Sequence, residues 1–375
     1  MTIPHNPLQK LASFGQSVWL DFIERDFVRS GGLAVLVRED GISGVTSNPA
    51  IFQKAIGEHA IYREAIDAMA RQGLAAHEIH EALIIEDIRD TADVLCGVFR
   101  RTQGRDGFVS LEVSPKLAHD TEGTYWEAKR LWALVSRPNL MIKVPGTDEG
   151  VPAIRRLIAD GINVNVTLLF TLDRYASVAD AFVEGLSERA AGQSSLADVA
   201  SVASFFLSRI DGAIDPKLDT AGTPAAKALR GECAITCARA AYHHYQSIVA
   251  SSSWRALKER GAQPQRLLWA STGTKDAAYS DVKYVEALVC PDTVTTLPPE
   301  TLIAYRDHGR AVPWSPDDSE AAQLSVQRLA GKLAEAGIDW QAVARQLEAE
   351  GIRKFVQPHE ATLSFLRERV AALRA

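Results

Sequence analysis

Short runs of apolar or alternating residues recur along this chain, separated by stretches with helical spacing. The runs are Ser17–Ile23, Ser43–Asn48, Phe108–Ser114, Leu140–Pro145, Asn163–Phe170, Ser201–Leu207, Arg266–Ser271 and Thr293–Leu297. Each has the length and β-branched content of a strand. Between them, Ala60–Met69, His80–Phe99, Thr121–Val135, Glu149–Ala159, Asp173–Glu188 and Pro224–Ser251 place apolar residues three and four apart, the mark of a helix with one buried face. Asp120 stands where the N-cap of the third of these helices belongs. Strands alternating with helices predict a parallel sheet with crossover helices. Eight of them fit a closed (β/α)8 barrel of the TIM type better than an open sheet.

Two intervals are longer than one crossover needs. Residues 49–107 have room for two helices, and residues 208–265 for a long helix with additions. After the eighth run the pattern stays helical to the end, broken at Pro313, Pro316 and Pro358. The 375 residues exceed a barrel of about 250 by roughly 125. No Ser/Gly-rich or Pro-rich linker divides the chain. A single barrel domain spanning 1–375 is therefore expected, with helical insertions at about 49–107 and 208–265 and a C-terminal helical extension at about 299–375.

Composition narrows the classes. Hydrophobic residues make up 46% and charged residues 23%, enough for a large core and too apolar for disorder. Net charge is −6 with no basic stripe, so nucleic acid is not an expected partner. No run approaches the roughly 18 apolar residues of a spanning helix, and Met1 to Lys10 lacks the pattern of a signal peptide. The four cysteines are scattered, which points to reduced thiols and a cytoplasmic protein. Cys233 and Cys237 sit four apart, with His243 and His244 beyond. No second pair stands at ligand spacing, so buried thiols rather than a metal are expected.

The informative polar residues lie on the strands. Side chains alternate across a strand, and a barrel strand is covered on both faces. Yet Asn163, Asn165 and Thr167 alternate with apolar neighbours, as do Ser110, Glu112 and Ser114. Lys143 lies within Leu140–Pro145, Thr46 and Asn48 end the second run, and Asp21 comes late in the first. Ser204 is in phase in the sixth, and Ser271 closes the seventh. Polar groups on seven strands near their C-terminal ends mark a catalytic rim, since barrel active sites lie there.

Lys143 is the sharpest of these. A lysine inside a barrel loses hydration, which disfavours its charged form. A neutral amine can attack a ketone to form an imine, and the protonated imine draws electrons from an adjacent carbon–carbon bond. Such cleavage also needs a base at the neighbouring hydroxyl, for which Asp21 and Glu112 are the in-phase carboxylates. Glu112 with Thr167 could hold a water, and Asn48 and Asn165 could hold sugar hydroxyls. Snorkelling or anion binding are the other readings of Lys143. Arg209 and the segment Ser271-Thr-Gly-Thr-Lys275 could bind phosphate. Alternatively, Arg209 pairs with Asp211 or Asp215, and Lys275 is a solvated loop lysine.

Four segments resemble the transaldolase family. Gly44-Val-Thr-Ser-Asn-Pro-Ala-Ile-Phe52 resembles its first signature, and Met141-Ile-Lys-Val-Pro-Gly146 the segment around its imine-forming lysine. Asn163-Val-Asn-Val-Thr-Leu-Leu-Phe170 is similar to the strand that follows, and Glu350-Gly-Ile-Arg-Lys-Phe355 to a C-terminal segment. The resemblance spans essentially the whole chain and is to the longer bacterial members. It implies a class I aldolase barrel without metal or organic cofactor, a monomer or homodimer. The implied reaction moves a dihydroxyacetone unit from sedoheptulose 7-phosphate or fructose 6-phosphate to glyceraldehyde 3-phosphate or erythrose 4-phosphate, in the non-oxidative pentose phosphate pathway. Fructose 6-phosphate aldolase, or a non-catalytic barrel that binds sugar phosphates, are the alternatives.

By the resemblance Lys143 forms the imine, Asp21 is the acid/base, and Glu112 and Thr167 position water. Asn48, Asn165 and Ser204 bind the dihydroxyacetone moiety, Phe206 forms an aromatic wall, and Arg209 and Ser271 bind phosphate. Shorter members carry a second arginine two residues beyond the serine that Ser271 matches. Gly273 stands there, and Lys275 is expected to supply the missing charge.

Overall fold

The computed structural model describes residues 6–314 and 319–374. Eight parallel strands close into a barrel in sequence order: β1 (Gln16–Leu20), β2 (Gly44–Val45), β3 (Phe108–Glu112), β4 (Leu140–Pro145), β5 (Val164–Leu169), β6 (Ser201–Phe206), β7 (Arg266–Ala270) and β8 (Thr293–Leu297). Every predicted run overlaps its strand, and all but the first contain it whole, since β1 begins one residue earlier at Gln16. The excess lies at the ends: Asp21 and Thr46 still donate backbone N–H bonds to the neighbouring strands at 2.8 Å, just past β1 and β2. Glycine lets β2 approach β1, because a Cβ on Gly44 would sit 2.4 Å from the Trp19 ring.

The register decides which side chains meet. Glu112 pairs with Lys143 across β3 and β4, and Lys143 with Asn165 across β4 and β5, so the three stand side by side on neighbouring strands. Between β5 and β6 the register slips between Val166 and Leu169, where Leu168 has φ +62°. A left-handed leucine costs roughly 1–2 kcal/mol. Such irregularities next to active sites redirect a strand end, and here it falls at Thr167.

The closed lower end of the barrel holds a polar plug. Arg266 Nη2 lies 3.0 Å from Asp106 Oδ1, and Arg266 Nη1 donates to Ser17 Oγ at 2.7 Å. Asp106 accepts further bonds from Ser17 Oγ at 2.6 Å and Trp19 Nε1 at 3.0 Å. Arg266 and Asp106 are both buried, so neither charge is left without a counter-charge.

The helices account for the extra length. The first long interval holds three helices instead of the two expected, Pro49–Glu58, Ile61–Arg71 and Ala76–Arg101. The helix expected over Pro224–Ser251 is interrupted. Pro224–Lys227 and Cys233–Ala250 are joined by a turn that holds Gly231, which has a φ of +70° and whose N–H donates to Asp215 Oδ1 at 3.1 Å. Asp120 caps Thr121–Val135 through Gly123 N at 2.9 Å, as expected.

The C-terminal extension contains the helix Trp340–Arg374, and one expectation about it fails. Pro358 lies inside this helix and does not break it. An interior proline costs about 3 kcal/mol. Burial on both sides of it outweighs that: Val343, Leu347 and Phe355 precede Pro358, and Leu363, Leu366 and Val370 follow it. Arg369 fixes the far end on Asp67 at 2.8 and 2.7 Å. Pro313 lies in a non-helical segment, as expected, and Pro316 falls outside the described residues.

Candidate active site

The barrel mouth contains a small cavity of about 80 Å³ lined by Asp21, Thr46, Asn48, Lys143, Ser204, Phe206, Arg209, Ser271, Thr296 and Phe355. Lys143 is at its floor and only 4% exposed. Its Nζ lies 2.9 Å from Glu112 Oε1 and donates to the Ser47 carbonyl at 2.9 Å. Burial pushes the Glu112 carboxyl above the usual carboxylate range, and the Lys143 charge opposes this only in part. Burial therefore favours the neutral acid form of Glu112 beside the amine.

Asp21 is also held above the ordinary carboxylate range by burial, opposed by the charge of Lys143 and by a hydrogen bond from Thr46. Thr46 Oγ1 donates to Asp21 Oδ1 at 2.7 Å, and Thr46 and Thr296 share a hydroxyl contact at 2.8 Å. Since the Thr46 hydroxyl donates to Asp21, Thr296 is the donor to Thr46. Two buried carboxylates therefore flank one amine, with different partners: Glu112 has the amine itself, and Asp21 has a hydroxyl relay.

Asn165 is fully buried and fixed at both ends. Its Nδ2 donates to Ser110 Oγ at 2.9 Å, and its Oδ1 accepts from Ser204 Oγ at 2.7 Å. Asn48 caps the helix Pro49–Glu58 through Oδ1, which accepts from Ala50 N at 3.0 Å and Ile51 N at 3.1 Å. The capping bond aims Asn48 from the cavity wall and leaves its NH2 for a ligand. Thr167 Oγ1 and Glu112 Oε2 are buried and make no hydrogen bond in the structure, while Glu112 Oε1 has only the Lys143 ammonium. Two groups able to accept and donate to one small polar molecule thus stand ready.

Arg209 follows β6. Its guanidinium lies over Phe206 at 4.9 Å and near Phe355 at 5.9 Å. It pairs with neither Asp211 nor Asp215. Asp211 is bound by Tyr284 Oη at 2.8 Å, and Asp215 by Tyr279 Oη at 2.6 Å. Its Nη1 is buried without a partner, and burial lowers its affinity for its proton. Ser271 has φ +55° and its Oγ is 2.8 Å from Ser208 Oγ. Arg209 and Ser271 open outward into a second cleft that Lys275 also lines. A Cβ on Gly273 would lie 3.2 Å from Thr301 Oγ1 and 3.5 Å from Pro298 Cγ.

Of the sequence candidates, Asp21, Asn48, Lys143, Ser204, Phe206, Arg209 and Ser271 line this cavity. Glu112 and Asn165 flank Lys143 in the strand register, Lys275 lines only the outer cleft, and Thr167 lines neither. Sequence reasoning assigned no role to Thr46, Thr296 or the Ser47 carbonyl. Thr46 could be suspected from its phase with Asn48, but the carbonyl carries no sequence signal. Phe355 comes from the C-terminal helix and its ring centre is 5.7 Å from Lys143 Nζ.

The comparisons agree with this geometry. A model of the family described as transaldolase/fructose-6-phosphate aldolase matches residues 18–366. The transaldolase of Thiobacillus denitrificans is 46% identical over 361 residues, covering 96% of this chain and 99% of that one. That of Trichodesmium erythraeum is 45% identical over 376 residues, covering 98% of each. That of Frankia alni is 47% identical over 352 residues, covering 93% and 94%. With an amine, two carboxylates and an unpaired arginine at the mouth of a barrel that matches these relatives end to end, the chain belongs to the transaldolase/fructose-6-phosphate aldolase family.

Proposed function

We propose that this protein is a transaldolase that moves a dihydroxyacetone unit between sugar phosphates through an imine on Lys143. The observation that carries the reading is Lys143 Nζ held at 2.9 Å from both Glu112 Oε1 and the Ser47 carbonyl, in one cavity with Asp21. Lys143 gives its proton to Glu112, and the neutral amine attacks C2 of the ketose. The carbinolamine takes a proton from Glu112 and loses water, forming the iminium. Asp21 removes the proton from the C4 hydroxyl, the C3–C4 bond breaks into the iminium, and an aldose phosphate leaves. The enamine left on Lys143 adds to a second aldehyde, whose new alkoxide takes its proton from Asp21. Water positioned by Glu112 and Thr167 then releases the product, in a ping-pong sequence.

The other groups hold the substrate. The Asn48 amide, Asn165 and Ser204 take the hydroxyls of the three-carbon unit, and Phe206 walls the cavity. Arg209, Ser271 and Lys275 take the phosphate, which suits donors such as sedoheptulose 7-phosphate or fructose 6-phosphate. Borohydride added with fructose 6-phosphate should fix a three-carbon adduct on Lys143, located by peptide mass spectrometry. No adduct, or an adduct on another lysine, rejects the mechanism. In the same assay without acceptor, steady release of free dihydroxyacetone marks the aldolase alternative.

The chain is read as one domain, supported by side chains of the C-terminal helix reaching the barrel mouth and by its anchorage on Asp67. A single calorimetric transition is expected, and two separated transitions would refute it. Four free cysteines are consistent with a cytoplasmic site.

A further inference from the structure

The cleft outside Arg209 has a volume of about 700 Å³ and far more positive charge than one arginine supplies. It is lined by Arg209 and by Lys217, Lys275 and Lys354, against a single carboxylate, Glu350. The three lysines are exposed and form no ion pair with a described residue. Arg209 Nη1, in contrast, is buried and unpartnered. Unpaired like charges around one cleft repel each other, and an anion bound among them relieves that repulsion.

Lys354 comes from the helix Trp340–Arg374. Leu347, Gly351 and Lys354 follow each other at helical spacing and line the cleft. One residue on, Phe355 turns onto the catalytic mouth. Gly351 makes the approach possible: a Cβ there would sit 2.9 Å from Leu168 Cδ2 and 3.5 Å from Arg209 Nη1. The helix is thereby pressed against the bulge of β5 and the phosphate arginine together.

We infer that Lys354 is a phosphate contact, so that the C-terminal helix is part of the substrate site and selects phosphorylated donors. This rests on the transaldolase reading above. Arg209 is a planar donor held by two aromatic rings, whereas lysine is a point charge on a flexible stem. One fixed cation with movable ones around it holds the phosphates of six- and seven-carbon donors, which differ in reach by one carbon.

The test compares Lys354→Gln and Lys354→Arg with the parent enzyme. The selective quantity is kcat/KM for fructose 6-phosphate divided by kcat/KM for fructose. Losing one exposed charge contact should lower this ratio on the order of fivefold in Lys354→Gln and weaken competitive inhibition by inorganic phosphate similarly, with Lys354→Arg close to the parent. An unchanged ratio overturns the inference. So does an equal loss for both donors, which would mean that Lys354 only supports helix packing. Borohydride trapping on Lys143 is run on the same samples. A missing adduct in the parent enzyme rejects the catalytic reading itself, whereas a normal adduct with an unchanged ratio rejects the phosphate contact alone.

Discussion

Thr46→Val tests whether Asp21 is the base. Thr46 donates to Asp21 at 2.7 Å and receives from Thr296 at 2.8 Å. A hydrogen bond to a charged acceptor is worth about 1.5–3 kcal/mol, and one pKa unit corresponds to about 1.4 kcal/mol. Valine should therefore raise the Asp21 pKa by about one to two units, beyond the elevation that burial already causes. The sign follows from the role: a base must be deprotonated, so a higher pKa moves the acid limb of kcat/KM upward, and activity on the acid side falls. That limb reports the free enzyme. On the plateau, where Asp21 is ionised in both forms, the rate should change little. Thr46→Ser should restore the original limb. Thr46→Val also leaves the Thr296 hydroxyl short of its acceptor, so the double variant Thr46→Val/Thr296→Val separates that cost from the titration. The assay is the pH dependence of fructose 6-phosphate turnover with erythrose 4-phosphate as acceptor. A limb that moves less than about 0.3 unit, or a loss that is uniform at all pH values, refutes Asp21 as the titrating base.

Glu112→Gln should slow formation of the borohydride-trapped adduct by about 10²–10⁴-fold, the usual worth of a positioned proton donor; a rate within twofold of the parent would remove Glu112 from the mechanism. Lys275→Ala should raise KM for phosphorylated donors by about tenfold, or about 1.4 kcal/mol, and an unchanged KM rejects its phosphate role. Asp106→Asn leaves the buried Arg266 without its counter-charge, which should cost about 3–5 kcal/mol in denaturant unfolding. Because this pair lies at the closed end of the barrel, kcat of the folded enzyme should hold at low temperature. A drop in kcat with full stability would contradict that separation.

Much of this molecule was legible in the sequence. Alternation within β3, β4 and β5 revealed polar residues where both faces of a strand should be covered, and that conflict marks a site whatever the fold's details. Asn48 was legible as a polar strand end, while its capping of the helix Pro49–Glu58 emerged only from the structure. Pro358 misled because its local cost was visible while the burial of Leu363 and Leu366 beyond it was not. The interruption at Gly231 was hidden by apolar spacing on both sides of it.

What the chain determined alone is the order of strands and helices, and the residue types that could carry imine chemistry. Those depend on local period and side-chain chemistry, which are properties of neighbours in sequence. The tertiary structure decided the rest. Register sets Glu112, Lys143 and Asn165 abreast, the slip at Leu168 sets the end of β5, and the path of the C-terminal helix brings Phe355 over Lys143 and Lys354 to the cleft outside Arg209. Each of these joins residues far apart in the chain, so it depends on closure of the barrel and on burial against it, which no local pattern encodes.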